Sequence, residues 1–145
     1  MDAILNQTAP IIAISCAGIF FMMALLTGSW KFYCMNQSTD FKAPYYVDIA
    51  HRSALLYSFA AILITVFAAL SIFPDWVNIT ATIAPLLFFF ISIVNYIKLG
   101  LQNKTDNQLR DSDNPTADKI IMASLIIAEI GGFSVLLVGY FLRII

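Results

Sequence analysis

Glu129 stands in the middle of an otherwise apolar stretch, "IIAEIGGFSVLL", residues 126–137. A carboxyl group in such surroundings is costly unless a proton, a hydrogen-bond donor or a counter-charge answers it. Placed beside a bound molecule, the same group can give up and take back a proton, which is general acid/base chemistry. His51, the single histidine of the chain, reads equally as an interfacial hydrogen-bonder between helices and as a proton relay on the stripe leading to Glu129. Asn95, Ser92 and Ser58 add neutral hydrogen-bonding groups inside apolar runs, where they can orient a ligand or bind a neighbouring helix. Asp48 and Arg52 lie one helical turn apart and form a helix-start ion pair, with Arg52 also a candidate ligand contact. Two readings of Glu129 stay open. In one, a protonated Glu129 hydrogen-bonds Ser58, Ser92 or a backbone carbonyl across a seam; in the other, it acts on a ligand.

A single histidine cannot make a histidine-based metal site, and no cofactor-binding pattern accompanies it. The run "DSDNPTAD" has spaced aspartates but lacks the glycine and terminal glutamate of a calcium loop. Cys16 and Cys34 fit neither a disulfide framework nor a CxxC site.

The elements that hold these groups follow from composition. The chain is 60% hydrophobic and 12% charged, with a mean hydropathy of +0.82. A soluble domain carries about twice that share of charge. The net charge of -1 gives no reason to expect nucleic-acid binding. Spanning a bilayer takes about 20 mostly apolar residues in a helix. Four runs meet this, about 9–30, 53–73, 77–97 and 120–142, and Glu129 is the only acidic or basic residue in any of them. The spacing therefore predicts an all-α, antiparallel bundle of four transmembrane helices. It forms a single domain over 1–145, with polar loops at 31–52 and 98–119. Only Asp2 precedes the first run, so the basic start of a signal peptide is missing.

Lys31, Lys42 and Arg52 fall in the first loop, and Lys98, Lys104, Arg110 and Lys119 in the third. The positive-inside rule places both loops in the cytoplasm and both termini outside, across a cell inner membrane. Asn114-Pro115 reads as an N-cap followed by proline at the first helical position, and Asn78 or Thr80 as the cap of the third helix.

Small and polar residues at spacings of three and four mark the faces that meet in lipid. On the second helix these are His51, Ala54, Ser58, Ala61, Thr65 and Ala68, with Leu56, Phe59, Leu63, Val66, Phe67 and Leu70 facing lipid. The third offers Ala81, Pro85, Phe88, Ser92 and Asn95, and the fourth Ser124, Ala128, Gly132 and Gly139. Pro85 should release the Ala81 carbonyl from its helical bond. Glu129 borders the glycine seam, about 60° around the helix from Gly132. It lies roughly 15 Å beyond Lys119, near the bilayer midplane. His51 and Asn95 are shallow on the cytoplasmic side, Ser58 and Ser92 lie between, and the outer half offers Thr65 and little else. A pocket open to the cytoplasm needs polarity on only one side; a conduction path needs it on both.

The stretches "YYVDIAHRSALLYSFA", "NYIKLGLQNKTDNQ" and "IIAEIGGFSVLLVGYF" resemble features of small, uncharacterised bacterial inner-membrane proteins. The layout, with Ala50-His51 opening the second helix, is similar to that of hydroxylaminobenzene mutase. That resemblance implies an intramembrane isomerase acting on a small, partly apolar molecule. The partners expected are the lipid bilayer, a small lipophilic ligand and a homo-oligomer or larger membrane complex. A non-catalytic assembly subunit is the alternative, and proton or ion conduction the least favoured.

Overall fold

The computed structural model describes residues 6–145. Asp2, on which the expectation about a signal peptide rests, lies outside them. Four helices follow in order: α1 (Thr8–Gln37), α2 (Tyr45–Leu70), α3 (Asp75–Gln102) and α4 (Pro115–Ile144). Each is long and apolar enough to cross a membrane, and the chain is a multi-pass membrane protein built as a four-helix bundle.

The helices overrun the apolar runs. α1 has 30 residues, about 45 Å at 1.5 Å per residue, against a hydrocarbon core of about 30 Å. The excess lies in "KFYCMNQ", whose Lys31 reaches across to Asp48 of α2 at 2.5 Å. Much of the polar stretch expected as loop is therefore helix, and 38–44 and 103–114 make the turns at that end. Ser38 closes its turn through the Asp40 carboxylate, and Phe41 takes a left-handed φ of 55°. Asn103 ends α3 at a φ of 44°, its N–H donating to the Leu99 carbonyl at 2.9 Å. Asn114 caps α4 as expected, accepting from the Ala117 N–H at 3.1 Å with Pro115 next.

At the opposite, hairpin end the expectation changes. The turn is 71–74, and "DWVN" is already helical. Neither Asn78 nor Thr80 caps α3, because Pro74 occupies that position. The Asn78 amide instead donates back to the Phe73 carbonyl at 2.9 Å and ties down the turn.

α2 and α3 form the centre. α1 packs on both, and α4 packs on α3 and more lightly on α2. Among the described residues α1 and α4 do not touch. The small-residue stripe of α2 is buried as its spacing requires, with Ala54, Ser58, Ala61, Thr65 and Ala68 all inside. Alanines 13, 17 and 24 of α1 meet it. Phe67, expected to face lipid, is partly buried, edge-on to Phe133 and Tyr140 of α4 at 5.3 Å.

α3 touches all the other helices, so its buried surface is wider than one stripe. Asn78 and Thr82 are consequently inside, 4% and 0% exposed. This corrects the expected one-sided polarity, since with Thr65 and Ser71 they give the hairpin half buried oxygens of its own. The Asn78 carboxamide oxygen and the Thr82 hydroxyl have no hydrogen-bond partner among the described residues.

α4 is fastened over its second half only. A Cβ on Gly132 would stand 2.6 Å from the Ala81 carbonyl oxygen and 2.8 Å from the Pro85 ring. The carbonyl that Pro85 leaves unpaired is thus covered by the bare backbone of α4. Further along, the Gly139 carbonyl accepts from the Ile72 N–H at 3.1 Å. Arg143 donates to the carbonyls of Ala69 and Leu70 at the end of α2. Toward its start α4 leaves the bundle, and Ser124, Ile127 and Ile130 are exposed. The small-residue seam therefore closes at Gly132 and Gly139 but not at Ser124.

Neighbouring glycines provide the check. Gly132→Ala should lower stability by about 1–3 kcal/mol through overpacking. Gly131→Ala, with nothing within 4 Å of its Cβ, should stay within about 1 kcal/mol of the native protein. Thermal unfolding of both in one detergent reads the difference.

Candidate functional site

The departure of α4 opens a groove of about 670 Å³ between α3 and the first half of α4. Phe88, Ile91, Ser92, Asn95 and Tyr96 form one wall, and Ile121, Met122 and Leu125 the other. Phe88, Ile91, Ile121, Met122 and Leu125 supply the apolar part of the walls, Ser92 and Asn95 sit one turn apart on α3, and Lys98, Gln102 and Asp118 line the part toward the 103–114 turn. The size suits a small organic molecule, for which pockets run about 300–1,000 Å³.

The 103–114 turn roofs the wide end and is pinned from two helices. Gln108 donates its backbone N–H to the Tyr46 hydroxyl at 2.7 Å, and its side-chain oxygen accepts from the Asn95 amide at 2.8 Å. Tyr46 in turn stacks on Tyr96 at 6.0 Å. Within the turn Arg110 binds Asp106 at 2.7 Å and Asp111 at 2.8 Å, and Thr105 donates to Asp111 at 2.5 Å. These bonds from Arg110, then Thr105, hold the Asp111 carboxyl down at about 2.

Glu129 lies one turn beyond Leu125, the last α4 residue of the lining, and just before Gly132, where α4 meets α3. Its Oε1 is buried and has no hydrogen-bond partner among the described residues. Tyr57 of α2 and Tyr96 of α3 stand close enough to feel its charge. Tyr57 also lies beside Ser92 and stacks on Phe89 with ring centroids 4.2 Å apart.

The other residues singled out from the sequence lie elsewhere. His51 is at the α1–α2 interface, where Nδ1–H donates to the Ala24 carbonyl at 2.9 Å. Because a carbonyl can only accept, that bond fixes the proton on Nδ1. A Cβ on Gly28 would be 2.9 Å from the ring, so Gly28 is the notch that admits it. Arg52 donates to Asp48 at 3.1 Å, the expected one-turn pair, and Lys31 makes Asp48 a shared acceptor across two helices. Ser58 is buried and donates to the Leu55 carbonyl of its own helix at 2.6 Å. The structure therefore brings Ser92 and Asn95 to the groove, and Glu129 one turn beyond its Leu125. It leaves His51, Arg52 and Ser58 on other contacts.

Tyr57, Tyr96 and Gln108 are the site residues that stripe reading passes over. Tyr57 carried one usable signal, a phenol inside an apolar run rather than at its headgroup ends.

No family model, no curated protein and no solved structure matches this chain.

The roof makes a titration prediction. A carboxyl held below its ordinary value of about 3.9 adds stability above that value and loses it as pH falls toward its own midpoint. The packing of the roof should thus be constant from neutral pH to about 4 and loosen between about 4 and 2. Side-chain carboxyl NMR should place the Asp111 midpoint near 2, and Asp111→Asn should abolish the change in the Leu109 and Arg110 amides.

Proposed function

We propose that this chain binds a small, partly apolar molecule in the α3–α4 groove and that Glu129 is the group on which its action turns. The observation that carries this reading is the buried, unpartnered Glu129 Oε1 one helical turn beyond Leu125, which lines a groove of ligand size. An intramembrane acid that the protein's own side chains leave unanswered is a functional group by default. The walls favour a molecule that partitions into lipid, and the wide end opens beneath the polar roof. With the basic loops inside, by the positive-inside rule, that end faces the cytoplasm and both termini lie outside.

The chemistry that fits is acid/base-assisted isomerisation of one bound molecule, of the kind the resemblance to hydroxylaminobenzene mutase implies: the hydroxyl leaves nitrogen as water under a proton from Glu129, adds to a ring carbon and returns a proton to Glu129, while the displaced ring hydrogen moves to nitrogen. Glu129 gives and recovers the proton, and Ser92 and the tyrosine hydroxyls orient the ligand. Asn95 holds the roof in place through Gln108. His51 is engaged with α1, which α4 does not touch, so the proton relay is better carried by Tyr57 and Tyr96, which lie near the acid.

Hydroxylaminobenzene is the first probe. The purified protein should convert it to a product of equal mass and different retention. Glu129→Gln should slow this by about 10²–10⁴-fold, the usual worth of a general acid/base, with helical circular dichroism intact. Undiminished conversion in that variant would remove Glu129 from the chemistry.

A second reading has its own observation. Ser124 is exposed and Ala128 only half-buried on the free half of α4, and small residues are what helices pack through in lipid. A helix from a second copy or a larger complex would seat there, making the chain an assembly subunit. A photo-cross-linker at position 124 in native membranes should then yield a protein adduct, and a clean monomer would exclude it.

A further inference from the structure

We propose that the 103–114 turn is a lid over the water-side entrance of the α3–α4 groove and that Gln108 is its single latch. The lid belongs to the groove's mouth, and it rests on the small-molecule reading only for what passes beneath it.

The way the turn is attached is the first ground. Its interior braces itself: Thr105 donates to Asp111, and Arg110 bonds Asp106 and Asp111. The Asn107 side-chain oxygen accepts the N–H groups of Leu109 and Arg110 at 3.1 and 3.0 Å, and the Asn107 N–H donates to the Thr105 hydroxyl oxygen at 2.9 Å. All these bonds stay within the turn. Among the described residues, hydrogen bonds from 104–113 to the bundle come from Gln108 alone. Its N–H donates to the Tyr46 hydroxyl, and its side-chain oxygen accepts from the Asn95 amide. A segment braced inside and tied at one residue opens as a unit when that tie breaks. Its two ends are helix-terminal residues, Asn103 at a left-handed φ of 44° and the Asn114 cap. Such positions are where hinges absorb changes of φ and ψ.

The place of the latch is the second ground. Gln108 and Leu109 line the groove and also a recess of about 230 Å³ on the α2 side, beside Tyr45, Tyr46 and Tyr96. The latch therefore stands between the two spaces, and withdrawing it joins them. That opens the polar end of the groove, where Lys98, Gln102 and Asp118 lie, to water. Asn95 and Gln108 both line the groove, so a ligand that reaches the wide end meets the latch itself. Polar molecules depend on this entrance, whereas lipophilic ones also have the gap between α3 and α4 on the bilayer side.

Thiol labelling beneath the lid decides. Ser92→Cys puts a thiol in the groove one turn from Asn95, in a full chain carrying Cys16→Ala and Cys34→Ser and held in lipid nanodiscs. A trimethylammonium methanethiosulfonate reaches it only through water, and N-phenylmaleimide reaches it through lipid as well. Tyr46→Phe with Gln108→Ala cuts both ties and keeps the stacking of ring 46 on Tyr96. The ratio of the charged to the apolar labelling rate should then rise at least tenfold. Tenfold corresponds to about 1.4 kcal/mol, within the net worth of two ordinary hydrogen bonds. Any smaller rise, whether because the charged rate stays put or because both rates climb together as a loosened bundle would make them, overturns the lid. The test needs no ligand, so a failure of hydroxylaminobenzene conversion counts against the small-molecule reading and leaves the lid standing.

Discussion

Proline has no N–H to offer, so Pro85 leaves the Ala81 carbonyl without its helical partner in the middle of a spanning helix. Lipid cannot repair that loss. The repair comes from α4, whose Gly132 brings backbone so near that a side chain there would stand 2.6 Å from the oxygen. A Cα–H directed at a carbonyl is a weak bond, but it recurs where helices touch this closely. The rest of the arrangement depends on that approach. Gly139 and Arg143 continue the attachment toward the hairpin, and nothing continues it the other way. The helix diverges from α3, the divergence becomes the groove, and Glu129 falls between its lining and Gly132, which it precedes by less than one turn.

The bundle is asymmetric about α3. On one flank α1 meets α2 over alanines and the His51–Gly28 notch, and an apolar crevice of about 260 Å³ beside Cys16, Ile83 and Leu87 faces lipid. On the other flank lie the groove, the pinned roof and the acid. Between them Phe20, Ile93, Leu136 and Pro85 are fully buried and apolar.

Sequence spacing made the architecture legible because small residues have few reasons to recur every three or four positions except close helix packing. It located the buried stripe of α2, the capping of α4 by Asn114, the release of the Ala81 carbonyl by Pro85 and the polarity of Ser92, Asn95 and Glu129. It could not say which helices would be neighbours. His51 and Glu129 lie on inward faces, but α1 and α4 face opposite ways, and a stripe carries no label for its partner. α3 was misjudged for a related reason: a helix touching three others buries more than one stripe, and Thr82 and Asn78 sit on the part left over. Helix ends were set by polar side chains that keep hydrogen-bonding past the lipid boundary, as Lys31 does with Asp48, and hydropathy does not register those.

The independence of α1 and α4 also bears on how the molecule is made. α1, α2 and α3 supply most of the shared core, to which α4 adds Leu136. The docking seat of α4, formed by the Ala81 carbonyl, the Pro85 ring and the 71–74 turn, belongs entirely to elements that precede it in the chain. During synthesis the first three helices can assemble in the bilayer while α4 is still in the ribosome. α4 then arrives at a prepared surface, and the groove between α3 and α4 forms as it docks.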